Sequence, residues 1–194
     1  MAEKILDHTY TPQETGYFCG PGSTQIALTA RGIEVSEWQL AEELGTDTDG
    51  TDWIGQITAV LARKTGQPYV TVEISDDPPT GAQVSRLWDD VVGSIDGGNA
   101  MVANIVAVPG NRPPGYPAQT IYHYVSIVGY DPETRSVYVA DPARFGGIEH
   151  YWLTAHMMAS LIAPKGYAAA PTAGADTEVW QDNLLQMLGP GGAR

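Results

Sequence analysis

The chain has 194 residues, 43% of them hydrophobic, so it can bury a core of ordinary size, and its length fits one domain. It carries 10 basic and 23 acidic residues, which give a formal net charge of −13 at pH 7. This charge argues against nucleic acid or an anionic membrane as the main partner, because phosphate groups are bound by basic surfaces. The only cysteine, Cys19, excludes an intramolecular disulfide.

No part of the sequence has the pattern of a membrane-spanning or secretory segment. The longest apolar stretch, residues 100–108, is too short to cross a bilayer and contains Asn104. The N-terminus lacks the apolar run and the small-residue cleavage site of a signal peptide. We therefore expect a soluble protein that is made in a cytoplasm without a signal peptide.

Hydrophobic spacing predicts three helices in the early part of the chain. The first covers residues 20–31, with Cys19 at its N-terminal edge. Ser36 is placed to cap the second helix, which ends at Leu44. Asp52 is predicted to cap the third. The apolar stripe of this third helix consists of Ile54, Ile57, Val60 and Leu61.

Most of the remaining pattern is typical of strands joined by turns. Strands are predicted over 69–74, 101–108, 122–130 and 137–140, and the last two form a β-hairpin. Further helices are predicted over 83–92 and 152–162. Helices that precede most of the strands favour an α+β domain with an antiparallel sheet.

The composition changes near the C-terminal end of the chain. From residue 165 onward, small residues, proline and glycine dominate, as in linkers, and residues 178–188 could form a short amphipathic helix. We therefore expect one domain over 1–164 and a linker-like tail over 165–194. Such a tail is typical of a chain to which further domains are attached on the C-terminal side.

Cys19 stands directly before the first predicted helix, within the sequence CGPG. A helix N-terminus lowers the pKa of a thiol, and the thiolate is the reactive form. The glycines on either side of Pro21 allow backbone N–H groups to come close to a substrate oxygen. The alternative is an inert, buried thiol, since free cysteines are among the most buried residues.

Three further residues could complete a catalytic site around Cys19. His123 lies in the first strand of the predicted hairpin and Asp141 follows the second, so the carboxylate could accept the imidazole N–H. Gln13 lies six residues before Cys19 and could donate to an oxyanion together with the Cys19 N–H. Taken singly, His123 could be a half-buried structural histidine and Asp141 a turn residue before proline.

The order of these residues resembles that of papain-like cysteine peptidases. The segments QETGYFCGPGSTQIAL and HYVSIVGYD…VYVADPA, together with Thr46–Trp53, are similar to the bacteriocin-leader (double-glycine) peptidase family. Within it, the combined pattern is most similar to the N-terminal peptidase domains of lysin A endolysins from mycobacteriophages and related phages. The likeness covers most of residues 12–142.

The resemblance implies a papain-like fold, with a helical N-terminal half packed on an antiparallel sheet. It implies that Cys19 is the nucleophile, His123 the general base and later acid, Asp141 its orienter and Gln13 part of the oxyanion hole. The implied substrate is a stem or cross-bridge peptide of actinobacterial peptidoglycan, reached after holin-mediated release from the host cytoplasm. Two alternatives remain, a leader peptidase that cleaves after Gly-Gly and a non-catalytic domain that binds peptides.

Substrate-contacting residues are harder to predict than the nucleophile. Three aromatic residues could line the cleft, although each would suit a core equally well: Tyr17, Trp53 and Tyr124. The acidic loop that begins at Asp47 lacks the glutamate expected at the twelfth position of a calcium loop, where the chain has Thr58. With a single cysteine and no HExxH motif, we expect no metal and no cofactor.

Overall fold

The computed structural model describes residues 2–171. The α-helices are α1 (Cys19–Thr29), α2 (Glu37–Leu44), α3 (Ile54–Thr65), α4 (Gly81–Asp96) and α5 (Ala155–Ile162). The strands are β1 (Lys4–Ile5), β2 (Val70–Glu73), β3 (Met101–Ala107), β4 (Ile121–Asp131), β5 (Ser136–Ala140), β6 (His150–Thr154) and β7 (Gly166–Ala169). A 3-10 turn, Phe145–Gly147, lies between β5 and β6.

The strands form one antiparallel sheet, which confirms the predicted α+β class. Their order is β2-β7-β3-β4-β5-β6, and the short β1 pairs with β4. The neighbours β4 and β5 form the predicted hairpin, in which Asp131 lies opposite Ser136 beside the turn. The long strand β4 therefore lies in the interior of the sheet, where its side chains are held rigidly.

Helices cover both faces of the sheet and create two apolar cores. Successive residues of β3 show the alternation, since Val102 belongs to the core beneath α1, α2 and α3, whereas Met101 and Ala103 belong to the core beneath α4 and α5. This is the period of two that the pleat of a strand imposes. The N-terminal helices therefore pack on one face, as expected, and the later two helices pack on the other.

The helix predicted over 152–162 is wrong in its first turn. Residues up to Thr154 belong to β6, where the buried Tyr151 and Leu153 alternate with more exposed neighbours and pair with β5. The helix starts only at Ala155, because the Thr154 hydroxyl accepts the backbone N–H of Met157 and caps it. In residues 150–154 the alternation of buried and exposed side chains, which is typical of a strand, thus outweighs the helical spacing of the apolar residues.

Two other helices begin at different residues from those predicted. The N-cap of α3 is Trp53 and not Asp52. The backbone N–H of Trp53 donates to Oε1 of Gln56 at 3.0 Å. The apolar stripe of α3 is buried as predicted. Helix α4 is longer at both ends than the predicted 83–92. It starts two residues earlier because the Thr80 side chain caps it, and it continues to Asp96.

Beyond residue 164 the chain returns to the sheet. Strand β7 lies between β2 and β3, and its residues are buried, so Gly166–Ala169 is part of the sheet although composition assigns it to the linker-like tail. The small side chains of Ala168 and Ala169 fit beneath helices on both faces, and small residues also dominate linkers. Most of the expected tail, including the helix over 178–188, lies outside the described residues.

Candidate active site

Cys19 is the first residue of α1, so its thiol lies at the N-terminal end of that helix. At this position no residue of the helix accepts its backbone N–H. The backbone N–H groups of Gly20 and Tyr124 act on this thiol and help to lower its pKa. A Cβ on Gly20 would lie 2.2 Å from Oγ1 of Thr51, so the glycine allows the loop before α3 to pack directly on the first turn.

The β4–β5 hairpin brings His123 and Asp141 together beside Cys19. His123 lies on β4, paired with Ile105 of β3, and is only 4% exposed. Asp141 directly follows β5, and its Oδ1 lies 2.8 Å from Nε2 of His123. Because Nε2 is engaged, Nδ1 is the ring nitrogen that remains for the hydrogen bond with the Cys19 thiol.

Cys19 and His123 alter each other's ionisation. Burial raises the pKa of the Cys19 thiol, but the hydrogen bond and the positive charge of His123, together with the backbone N–H groups of Tyr124 and Gly20, outweigh burial, so the pKa lies below its ordinary value. Burial by itself would lower the pKa of His123, whereas hydrogen bonds and negative charges from Asp141 and Cys19 raise that pKa to about 9. Both shifts favour the form of the pair in which Cys19 is a thiolate and His123 an imidazolium.

Asp141 is fully buried, and both of its carboxylate oxygens are hydrogen-bonded. Besides His123, Oδ1 accepts the backbone N–H of Ala143 at 3.0 Å. Oδ2 accepts the hydroxyls of Tyr116 at 2.6 Å and Tyr151 at 3.0 Å. Burial raises the pKa of Asp141, but these hydrogen bonds, with that of His123 first, hold it below its ordinary value. The carboxylate is therefore ionised in the folded protein.

The two tyrosines were not predicted as site residues. Tyr116 belongs to the proline-rich loop 109–117 between β3 and β4, and its ring centroid lies 4.4 Å from that of Phe145. Gly115 permits this approach, because it has a φ of +80° and a Cβ on it would lie 2.2 Å from the Phe145 carbonyl oxygen. One large aromatic residue in a loop of proline, glycine and polar residues is the signal that could have indicated Tyr116.

Gln13 lies between the first turn of α1 and the segment that follows β5. Its backbone N–H donates to the carbonyl oxygen of Pro142 at 2.9 Å, and its Cβ lies 3.4 Å from where a Cβ on Gly22 would be. Nε2 of its side chain donates to the carbonyl oxygen of Thr15 at 2.7 Å. An amide nitrogen carries two hydrogens, so this bond leaves one for another acceptor. The role of Gln13 in an oxyanion hole stays a prediction.

A cavity of about 230 Å³ opens beside Cys19 and is the candidate substrate cleft. Its lining comes from the loop before α3, from β3 and β4, and from the segment before β7. The lining residues are Cys19, Asp49, Gly50, Thr51, Asp52, Asn104, Tyr122, His123, Tyr124 and Lys165. Asp49 and Asp52 belong to the same lining as Cys19, and the Nζ of Lys165 lies 5.6 Å from the centre of the Tyr122 ring.

The three aromatic residues predicted to contact substrate lie in different places. Tyr124 lines the cavity at Cys19, but its ring is buried and its hydroxyl donates to the carbonyl oxygen of Thr51 at 3.1 Å. Tyr17 lines a separate surface cavity with Trp38. Trp53 is 56% exposed, lies against Gly55 and is not part of the lining at Cys19. Tyr122, which was not predicted, lines the cavity instead.

Neither a metal-binding cluster nor a membrane-spanning helix occurs within residues 2–171. Within 2–171, no group of three or more His, Cys, Asp or Glu side chains is arranged to hold a metal ion. His8 and His150 contact each other through their Nε2 atoms at 2.9 Å, which is the distance of a hydrogen bond. No helix in the same range is long and apolar enough to cross a bilayer.

The sequence matches the family described as Peptidase_C39 like over residues 5–162, a range that includes all four predicted catalytic residues. One curated relative, an uncharacterized protein of Methanothermobacter marburgensis, is 34% identical over 108 residues, or 54% of this chain and 76% of the relative. A second uncharacterized protein, from Methanothermobacter thermautotrophicus, is 32% identical over 76 residues, or 39% of this chain and 54% of that protein.

Solved structures share the fold. A Bacillus anthracis protein described as a C39-like peptidase aligns with a TM-score of 0.58 and 15% identity over 87% of this chain and 98% of its own. The peptidase domain of the Streptococcus transporter ComA aligns with a TM-score of 0.54 and 18% identity over 84% and 99%. A double-glycine-motif protease of an AMS/PCAT transporter aligns with a TM-score of 0.55 and 13% identity over 89% and 100%.

Proposed function

The chain belongs to the Peptidase_C39-like family, and we propose that it is a cysteine endopeptidase with Cys19 as its nucleophile. The observation that carries the proposal is the position of His123, which lines the same cavity as the Cys19 thiol, lowers the pKa of that thiol, and holds its Nε2 2.8 Å from Oδ1 of Asp141. A thiolate beside an imidazolium is ready to attack an amide carbonyl. A domain that only binds peptides would not need this ionised pair.

In the acylation step, the Cys19 thiolate attacks the carbonyl carbon of the scissile peptide bond. The new C–S bond moves an electron pair onto the carbonyl oxygen, which becomes an oxyanion. The backbone N–H of Cys19 and the second Nε2 hydrogen of Gln13 are the donors we assign to this oxyanion. His123 then gives its proton to the leaving amine, the C–N bond breaks, and a thioester remains on Cys19.

In the deacylation step, neutral His123 takes a proton from a water molecule that attacks the thioester carbonyl. The C–S bond breaks, the acid product leaves, and the Cys19 thiolate is regenerated beside the His123 imidazolium. Asp141 stays ionised throughout, since its hydrogen bonds hold its pKa low, and it keeps Nε2 of His123 protonated. This cycle uses only side chains, backbone N–H groups and water.

For the substrate, we propose stem or cross-bridge peptides of bacterial peptidoglycan, as in phage endolysins. The sequence likeness of the Gln13–Cys19 segment and of the β4–β5 hairpin to lysin A peptidases supports this assignment. The carboxylates of Asp49 and Asp52 in the cleft also suit peptides that carry free amines, such as those containing diaminopimelate. A wall substrate would place the site of action outside the host membrane, reached through a phage holin.

The test is digestion of purified mycobacterial peptidoglycan, with mass spectrometry of the released fragments. Wild-type protein and the Cys19→Ala variant are compared at equal concentration, with Cys19→Ala as the matched control for binding without chemistry. New amino termini that appear with wild type alone would establish a wall peptidase and identify the scissile bond.

A lack of release from peptidoglycan by the wild type would overturn the wall substrate. The same pair of proteins is then incubated with synthetic leader peptides that contain a Gly-Gly site. Cleavage there by wild type alone would identify a leader peptidase. Failure of both substrates, with retained binding of peptide, would overturn the enzymatic proposal in favour of a binding domain.

A further inference from the structure

Glu37, the first residue of α2, is a completely buried carboxyl group that the proposed reaction does not use. Its Oε2 accepts the backbone N–H of Glu14 at 3.0 Å. Its Oε1 is buried and has no hydrogen-bond partner. A buried, unsatisfied carboxylate oxygen is costly, so the structure calls for a partner at this atom.

Gln13, the neighbour of Glu14, also has a buried side-chain oxygen that lacks a hydrogen-bond donor. Its Nε2 donates to Thr15, but its Oε1 is also buried without a partner. Turning the amide over would place Oε1 against the Thr15 carbonyl oxygen, so the assigned orientation is the one that makes a hydrogen bond. Two buried acceptors, one from each residue, are thus left unsatisfied.

The two side chains approach each other over Gly22. A Cβ on Gly22 would lie 3.4 Å from Cβ of Gln13 and 3.6 Å from Oε1 of Glu37. Two acceptor oxygens satisfy each other only if one of them carries a proton. A protonated carboxyl supplies that O–H, whereas an amide oxygen has none.

We infer that Glu37 is a positioning residue whose protonated Oε1 donates to Oε1 of Gln13 and so fixes the amide that serves the oxyanion. The inference rests on the proposed function, because it concerns the residue assigned to the oxyanion hole. Gln13 would then be held at both ends of its amide, by Thr15 on Nε2 and by Glu37 on Oε1. The second Nε2 hydrogen is left in a fixed direction, as preorganised transition-state stabilisation requires.

The ionisation of Glu37 is consistent with this geometry. Burial raises the pKa of Glu37 to about 7, the Glu14 backbone N–H acts to lower it, and the Glu14 carboxylate raises it further. Among the described residues, Glu14 is the titratable side chain whose charge acts on Glu37. Glu37 is therefore largely protonated in mildly acidic solution and loses its proton as the pH rises above neutrality.

The kinetic test uses Glu37→Met, which removes the donor but keeps the volume, and Glu37→Gln, which keeps a donor without a charge. Glu37→Met should lower kcat about tenfold with little change in KM, since the oxyanion donor is misdirected only in the transition state. Glu37→Gln should keep kcat close to the wild-type value. In a Gln13→Ala background, Glu37→Met should have no further effect on kcat.

A second readout does not depend on activity. The side-chain amide signals of Gln13, followed by NMR in ¹⁵N-labelled protein, should shift with the ionisation of Glu37 and lose that pH dependence in Glu37→Gln. The matched control is Glu42→Met, an exposed glutamate on the same helix, which should leave both the kinetics and the amide signals unchanged.

Two results would overturn the inference. One is an equal loss of kcat from Glu37→Met with and without the Gln13 side chain, and the other is a set of Gln13 amide signals that do not respond to Glu37. If the wild type cleaves none of the substrates, the proposed function fails, and the NMR measurement alone decides whether Glu37 holds Gln13.

Discussion

The hydroxyl of Tyr116 donates a hydrogen bond of 2.6 Å to Oδ2 of Asp141, from a loop that lies 25 residues earlier in the chain. Tyr151 donates to the same oxygen from β6. The orienting carboxylate is thus fixed from two separate elements, neither of which carries the nucleophile. Rotation of Asp141 away from His123 would break both of these bonds in a buried site, where unmade hydrogen bonds are costly.

Removing either tyrosine hydroxyl should therefore weaken catalysis without unfolding the protein. We expect Tyr116→Phe and Tyr151→Phe each to lower kcat/KM about tenfold, which corresponds to the loss of one hydrogen bond to a charged group. The loss should be measured in initial-rate assays on the cleaved peptide. Tyr138→Phe is the control, because Tyr138 lies on β5 but its ring stacks on His150 and contacts Trp152 at a tilt. Full activity in both variants would contradict the positioning role of the hydroxyls.

Asp141→Asn should be much more damaging than either tyrosine variant. The carboxylate accepts from His123 and Ala143 on one oxygen and from two tyrosines on the other, whereas an amide has a single oxygen. The amide also removes the negative charge that stabilises the imidazolium. We expect a fall in kcat of at least about 100-fold. Activity close to wild type would show that orientation of His123 suffices without the charge.

The ionised pair predicts an unusual pH dependence for the reaction of Cys19. Because the pKa of this thiol is lowered, alkylation by iodoacetamide should proceed well below the pH at which a free thiol, of pKa about 8.5, reacts. Hydrolysis should lose rate as the pH rises through about 9, where His123 gives up its proton. Since Cys19 is the only cysteine, mass spectrometry of the intact protein measures the alkylation directly.

The matched variant for this measurement is His123→Ala. It removes the hydrogen bond and the positive charge but leaves the burial that raises the thiol pKa. Alkylation of Cys19 should then require a higher pH than in the wild type. An unchanged alkylation profile would mean that the helix N-terminus and the backbone N–H groups, and not His123, lower the thiol pKa.

The hairpin geometry of His123 and Asp141 was predictable because its determinants are local. The turn after Asp131 makes β4 and β5 neighbours, and a β-bulge between Ile127 and Gly129 then shifts their pairing by one residue on the way to His123. The position of Cys19 at the start of α1 was predictable for the same reason, since Pro21 and the glycines mark a helix start.

The support around this geometry could not be predicted, because it depends on residues that are distant in sequence. Tyr116 reaches Asp141 only because its loop packs on Phe145, and Glu37 and Gln13 both come close to Gly22 of α1 only because α2 packs beside α1. Composition also misassigned Gly166–Ala169, since small residues suit both a linker and a strand covered on two faces. Propensity carries no information about such tertiary pairings.

The close contact between Gly20 and Thr51 predicts that a methyl group at Gly20 will displace the wall of the cleft. A Cβ there would lie 2.2 Å from Oγ1 and 2.8 Å from Cβ of Thr51. We expect Gly20→Ala to lower the free energy of unfolding by about 1–3 kcal/mol, as overpacking does, and to reduce kcat/KM. Adding Thr51→Gly to the Gly20→Ala variant should recover part of the free energy of unfolding and part of kcat/KM.

The control for this substitution is Gly81→Ala. Gly81 begins α4, and no atom lies within 4 Å of a Cβ at this glycine. The stability and activity of the Gly81→Ala variant should therefore match those of the wild type. Chemical denaturation and initial rates measured in parallel provide the comparison. A Gly20→Ala variant as active and as stable as Gly81→Ala would show that the Thr51 loop moves aside at little cost.

The buried carboxyl of Glu37 should make stability fall with pH in a defined window. With a folded-state pKa raised to about 7, this group loses its proton later in the folded protein than in the unfolded chain, where the pKa is about 4.3. The folded state therefore loses stability as the pH rises between these values, by on the order of 4 kcal/mol in all. Urea unfolding of wild type and Glu37→Gln should show this growing difference, whereas Glu42→Gln should follow the wild type. Parallel curves for wild type and Glu37→Gln from about pH 5 to pH 8 would mean that Glu37 is ionised in the folded protein and cannot donate to Gln13.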